Sequence, residues 1–111
     1  MDGLLEPLAL TVSVEGRLPA IARVSGELDL ATVPLLTAAL AEVDDGDIEL
    51  DCSGLSFIDA TGLRAFQIAH EACARRGCKL VLVDPSPALS RLVQMVGLES
   101  VFLFREAEAA S

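Results

Sequence analysis

The 111-residue sequence contains no tryptophan and no tyrosine, only four phenylalanines, and a single histidine, His70. Stacking platforms for single-stranded nucleic acid are built from aromatic side chains, so this function has almost nothing to stand on. Positive charge is also scarce: Lys plus Arg number 8 against 17 Asp plus Glu, a net charge of −9. A surface of that sign repels phosphate backbones and anionic lipid, and it favours a basic or mixed-charge protein partner over nucleic acid or membrane. No run reaches the roughly 18 uninterrupted apolar residues of a membrane span. The segment Met1 to Pro7 lacks the basic and apolar regions of a signal peptide, so neither membrane insertion nor secretion is expected and the cytoplasm is the default compartment.

Catalytic equipment is missing in the same way. A nucleophile–base–orienter set needs a histidine free to act, and the only one falls in mid-helix. The eight glycines form neither Gly-x-Gly-x-x-Gly nor a phosphate loop, so no nucleotide cofactor is expected. His70 and Cys73 stand three apart, but without further thiols or imidazoles at ligand spacing no metal is expected. Asp29 and Asp59 as an acid–base pair read less well than as solvated acids of an acidic protein. No enzyme activity follows. The three cysteines, Cys52, Cys73 and Cys78, are too few and odd in number for a disulfide framework. They read best as small apolar filler. A redox role is the alternative for Cys73 and Cys78, because Arg75 and Arg76 between them favour a thiolate.

What the chain does have is aliphatic mass: hydrophobic residues make up 52% of it, with 19 Leu, 16 Ala and 10 Val, and the mean hydropathy is +0.52. That is enough for one packed domain and excludes general disorder. The domain is expected over 1–111, with a core at about 8–104 and a short tail at 105–111. The acid is concentrated: residues 1–59 carry a net −10 and residues 60–111 a net +1. An acidic interaction face therefore draws on the first half.

Alternation at residues 8–14 and 20–25, with turn chemistry at 15–19, predicts an antiparallel hairpin. Gly26-Glu27-Leu28-Asp29 breaks the pattern. Thr32 then reads as an N-cap, Pro34 as a first-turn residue, and Val33, Leu36, Leu40 and Val43 as one helix face, stopped by Asp44-Asp45-Gly46-Asp47. Residues 48–52 alternate as a third strand. Residues 53–58 read as a loop with buried anchors at Leu55, Phe57 and Ile58. Asp59 caps a helix over about 62–75 whose inner face is Leu63, Phe66, Ala69, His70 and Cys73, and Gly77 ends it. Residues 79–83 form a near-continuous apolar strand of the kind covered on both faces. The loop 84–87 starts a third helix, with Leu89, Leu92, Val93 and Val96 inward and Gly97 at its end. Residues 101–104 form a last strand. The order β-β-α-β-α-β-α-β implies an α/β fold with a mainly parallel sheet.

The most specific segment is Leu55-Ser56-Phe57-Ile58-Asp59-Ala60-Thr61-Gly62-Leu63-Arg64. It carries an acid and small residues onto a helix start, where free N–H groups and the helix dipole attract anionic partner groups. A plain N-cap at Asp59 is the competing reading. Taken with Gly26-Glu27-Leu28-Asp29 and Ser86-Pro87-Ala88-Leu89-Ser90-Arg91-Leu92, the segment resembles the STAS domains of bacterial anti-sigma factor antagonists over nearly the whole chain. The resemblance implies a STAS fold, a mixed sheet of four to five strands with helices mainly on one side. It implies a protein partner, an anti-sigma factor that is also a serine kinase, whose capture frees a sigma factor. The implied partner-binding residues are Glu27, Asp29, Asp59, Ala60, Thr61, Gly62, Leu63 and Arg64, with Gln67 adding an outward contact. In the family the kinase phosphorylates the residue directly after the aspartate. Here that residue is Ala60, so the protein is either constitutively active or phosphorylated on Thr61. The alternative is a small STAS subunit of a lipid-transport ABC complex, or another interaction or nucleotide-sensing module. A monomer or weak dimer is expected.

Overall fold

In the computed structural model, residues 9–43 and 45–107 are described. Leu8, Asp44 and residues 108–111, which the expected first strand, helix stop and tail include, lie outside them. The elements follow in the expected order: β1 (Leu10–Glu15), β2 (Ala20–Leu28), α1 (Val33–Ala41), β3 (Ile48–Ile58), α2 (Ala60–Arg75), β4 (Leu80–Val83), α3 (Pro87–Met95) and β5 (Leu103–Arg105). The five strands lie in sequence order in one sheet. β1 and β2 are antiparallel and the remaining pairs parallel.

Period-2 burial decides which face of the sheet is covered. Ala22, Val24 and Leu28 of β2 point to the same side as Ile48, Leu50, Cys52, Leu55 and Ile58 of β3 and Leu80 and Leu82 of β4. They pack into one core with Leu36 of α1, Leu63, Phe66 and Cys73 of α2, and Leu89 and Val93 of α3. Phe66 is fully buried, a contribution of roughly 1.5–3 kcal/mol. The other face mixes ion pairs with the apolar Ile21, Val81 and Leu103. Arg23 lies 3.7 Å from Glu15 and 3.9 Å from Asp51, and Arg105 lies 2.6 Å from Glu49. These pairs are half-exposed and worth little individually.

Two expectations about the middle of the chain need correction. β2 does not break at Gly26 but runs to Leu28, and residues 53–58 are strand, not loop. The two extensions pair with each other, Ser25 to Gly54, Gly26 to Leu55, Glu27 to Phe57 and Leu28 to Ile58, with register shifts at Arg23/Ser25 and Gly26/Glu27. The shifts hide the alternation in sequence. They also turn Phe57, expected to be a buried anchor, outward to 48% exposure. Smaller differences fall at element ends. α2 begins two residues before the expected start. β5 begins two residues later. Val96 caps α3 and is exposed instead of lining its inner face.

Candidate functional site

The site residues singled out in the sequence sit where the ends of β2 and β3 hand over to α1 and α2. Leu28 and Ile58 are register partners. One residue later, the Asp59 N–H donates to the Leu28 carbonyl at 3.3 Å. This junction brings the Glu27–Asp29 turn beside the start of α2, though 30 residues separate them in sequence.

The α2 start is built by capping. Asp59 has extended backbone angles, and its carboxylate accepts the Gly62 N–H at 2.9 Å. Its carbonyl accepts from Leu63 at 3.0 Å. Gly62 lies against β2 so closely that a β-carbon there would stand 2.7 Å from the Leu28 carbonyl oxygen. Only glycine lets the helix start at this depth. Ala60 is exposed and Thr61 half-buried, whereas Gly62 and Leu63 are buried. Gly62 and Leu63, expected among the partner-binding residues, therefore support the surface from beneath and do not present side chains on it. Arg64 is exposed and stands 3.9 Å from Glu71 on the next turns of the helix.

The acidic turn is locked by its own side chains. The Asp29 carboxylate accepts the N–H groups of Ala31 at 3.0 Å and Thr32 at 3.1 Å. The buried Thr32 hydroxyl donates to the Glu27 carbonyl at 2.8 Å and accepts from the Asp29 N–H at 3.0 Å. Thr32 holds the N-cap position of α1 but makes no side-chain cap bond. The Asp29 carboxylate does not replace it: its bonds fix the turn that precedes the helix, and Val33, the first helical residue, donates its N–H to the Asp29 backbone carbonyl at 2.9 Å. The result is a rigid turn that leaves Glu27 exposed at its rim.

Two further residues belong to this face. Leu30 at the tip of the turn is 75% exposed, and Phe57, beside Glu27 on the neighbouring strand, 48%. An apolar residue in an otherwise polar turn is a sequence signal for Leu30. Nothing marks Phe57, since only the bulged register turns it out. The face thus combines Leu30 and Phe57 with the acids Glu27, Asp29 and Asp59 and the helix start, the mixture of apolar anchors and polar rim typical of protein interfaces. A cleft of about 640 Å³ between Ser53, Asp84, Ser86 and Arg105 opens elsewhere and is lined by none of these residues. No helix among the described residues is long and apolar enough to cross a membrane.

Residues 10–110 match the STAS domain family. The anti-sigma-B factor antagonist of Listeria monocytogenes is 33% identical over 88 residues, 77% of each chain. That of Staphylococcus aureus is 32% identical over 87 residues, 76% of this chain and 81% of the relative. Among solved structures, an anti-sigma factor antagonist from Mycobacterium paratuberculosis superposes with a TM-score of 0.77 at 27% identity, covering 86% of this chain and 85% of that one. Unphosphorylated SpoIIAA, at 23% identity, shares the fold with a TM-score of 0.72 over 90% and 89% of the two chains.

Proposed function

The chain belongs to the STAS domain family, and from that premise we propose that it is an anti-sigma factor antagonist. It captures an anti-sigma factor and so releases a sigma factor for transcription. The observation that carries the reading is the joint face of the Glu27–Thr32 turn and the α2 start. It is preformed by Asp29, Thr32 and Asp59 and carries exposed apolar side chains at Leu30 and Phe57. A preorganised face loses little conformational entropy on binding. A kinase activity in the partner, with the helix start as its substrate, is part of the same proposal.

On this reading the outward-facing position of the helix start is Ala60, which offers no hydroxyl, so the antagonist is constitutively active there. Thr61, the next residue, carries a hydroxyl and is half-buried. Two experiments test the proposal. Affinity capture from source cells should recover an anti-sigma factor; recovery of ABC transporter subunits in its place would overturn the antagonist reading. Incubation with the captured kinase and ATP should leave the intact mass unchanged, and Ala60→Ser should make the chain a phosphate acceptor. A phosphate on the unaltered chain that is lost in Thr61→Ala would contradict constitutive activity.

A further inference from the structure

The far end of α2 closes in a Schellman motif. Gly77 takes a φ of +76° and donates its N–H to the Ala74 carbonyl at 3.0 Å, while the Cys78 N–H reaches back to the Cys73 carbonyl at 2.9 Å. In this helix ending, the side chains of the two residues joined by the longer-range bond commonly pack together. Here both are cysteines. With standard bond lengths, the 2.9 Å contact also holds their Cα atoms within about 6.8 Å, the span a disulfide can bridge. Cys73 is buried, and the partly exposed Cys78 packs against the same core. The exposed Arg76 between them donates to the Cys73 sulfur at 3.3 Å.

We propose that Cys73 and Cys78 form an oxidisable dithiol site that closes to an intramolecular disulfide when it meets a peroxide. Cys78, the more accessible thiol, attacks hydrogen peroxide. The O–O bond breaks, one oxygen stays on the sulfur as a sulfenic acid, and the other leaves as water. The Cys73 sulfur then attacks the Cys78 sulfur. The S–S bond forms, the S–O bond breaks, and the hydroxyl leaves as water with the Cys73 proton. Two thiols lose two hydrogens and two electrons, and the peroxide is reduced to two waters. Arg76 supplies a donor to the attacking sulfur, and its exposure lets it swing aside as the bond closes.

Cys52 provides an internal control. It is buried in β3, and burial, with the neighbouring Asp51 charge adding, pushes its thiol up from 9.0 to about 12. That thiol stays protonated and unreactive.

Arg75 and Arg76 separate the two cysteines, so trypsin reports the bond directly. The full chain is treated with hydrogen peroxide under native conditions, alkylated in denaturant and digested without reductant. The expected result is an intact mass lower by about 2 Da before alkylation, the two hydrogens lost, and one alkylated thiol afterwards, at Cys52. Peptides 65–75 and 77–79 should run as one species that separates on reduction. Cys73→Ala should instead leave Cys78 carrying added oxygen. If the unaltered chain keeps three alkylatable thiols, gains oxygen on Cys78 without a cross-link, or links only between chains, the proposal is overturned.

Discussion

Gly62 sets how closely the functional helix can sit on the sheet. A methyl group at this position must push the helix start away from the Leu28 backbone, 2.7 Å distant. Overpacking of this kind costs about 1–3 kcal/mol, against roughly 1 kcal/mol gained from alanine as a better helix former. Gly62→Ala is therefore expected to lower the urea midpoint; an unchanged or higher midpoint would mean the helix start is free to shift. Asp59→Ala should cost about 1 kcal/mol through the lost cap, measured the same way. Cys52 links stability to pH. Its thiol is pushed up to about 12 in the folded chain from 9.0, so the stabilisation is complete below pH 9 and declines as pH rises from 9 toward 12, while the unfolded thiol ionises and the folded one does not. Denaturation midpoints across that range should fall, and fall less in Cys52→Ala. Asp59 was legible in the sequence because capping has a residue signature, whereas Gly62 was expected on the partner-binding surface and its approach to Leu28 comes from a contact distant in sequence. The Asp29 side-chain bonds that fix the turn before α1 were not legible, since Thr32 occupies the position that normally caps and its hydroxyl is diverted to the Glu27 carbonyl.

At the level of elements, the site depends on the extra length of β2 and β3. Alternation identifies the shared core of these strands but stops at their bulges, where Ser53, Gly54 and Ser56 read as turn chemistry. The pairing that overrides this is long-range. Gly26, at φ +105°, comes so close to the Ala9 carbonyl that a β-carbon would clash with it. Glu27 then donates to that same carbonyl at 2.7 Å, and the Ser56 hydroxyl bonds the Gly26 carbonyl at 3.0 Å. Gly26→Ala should loosen this end of the sheet first. Hydrogen exchange would show it as early loss of protection at the Glu27 and Asp59 amides, with the amide of Leu50 in central β3 still protected. Simultaneous loss at all three would mean that the strand extension is not a separate unit. Helices were easier to read than strand ends because their apolar periodicity is local and survives a change in register.

For the whole molecule, the uneven charge has a structural address. The half that carries −10 supplies β1 to β3 and the acidic turn, and the half carrying +1 supplies α2 onward. Electrostatic steering of a basic partner should therefore act at the junction where the two halves meet. Association should slow as ionic strength rises, and Glu27→Lys should slow it further while leaving dissociation little changed. An association rate insensitive to salt would separate the binding face from the charge asymmetry. The central claim, that this junction captures an anti-sigma factor, is tested most directly by titrating the captured anti-sigma factor with the unaltered chain and with Phe57→Ala. The Phe57 side chain is exposed, so its removal should leave the denaturation midpoint in place. As an apolar anchor at an interface it should account for at least about 1 kcal/mol of binding, roughly fivefold or more in Kd. Equal affinity of the two chains for the anti-sigma factor would contradict the account.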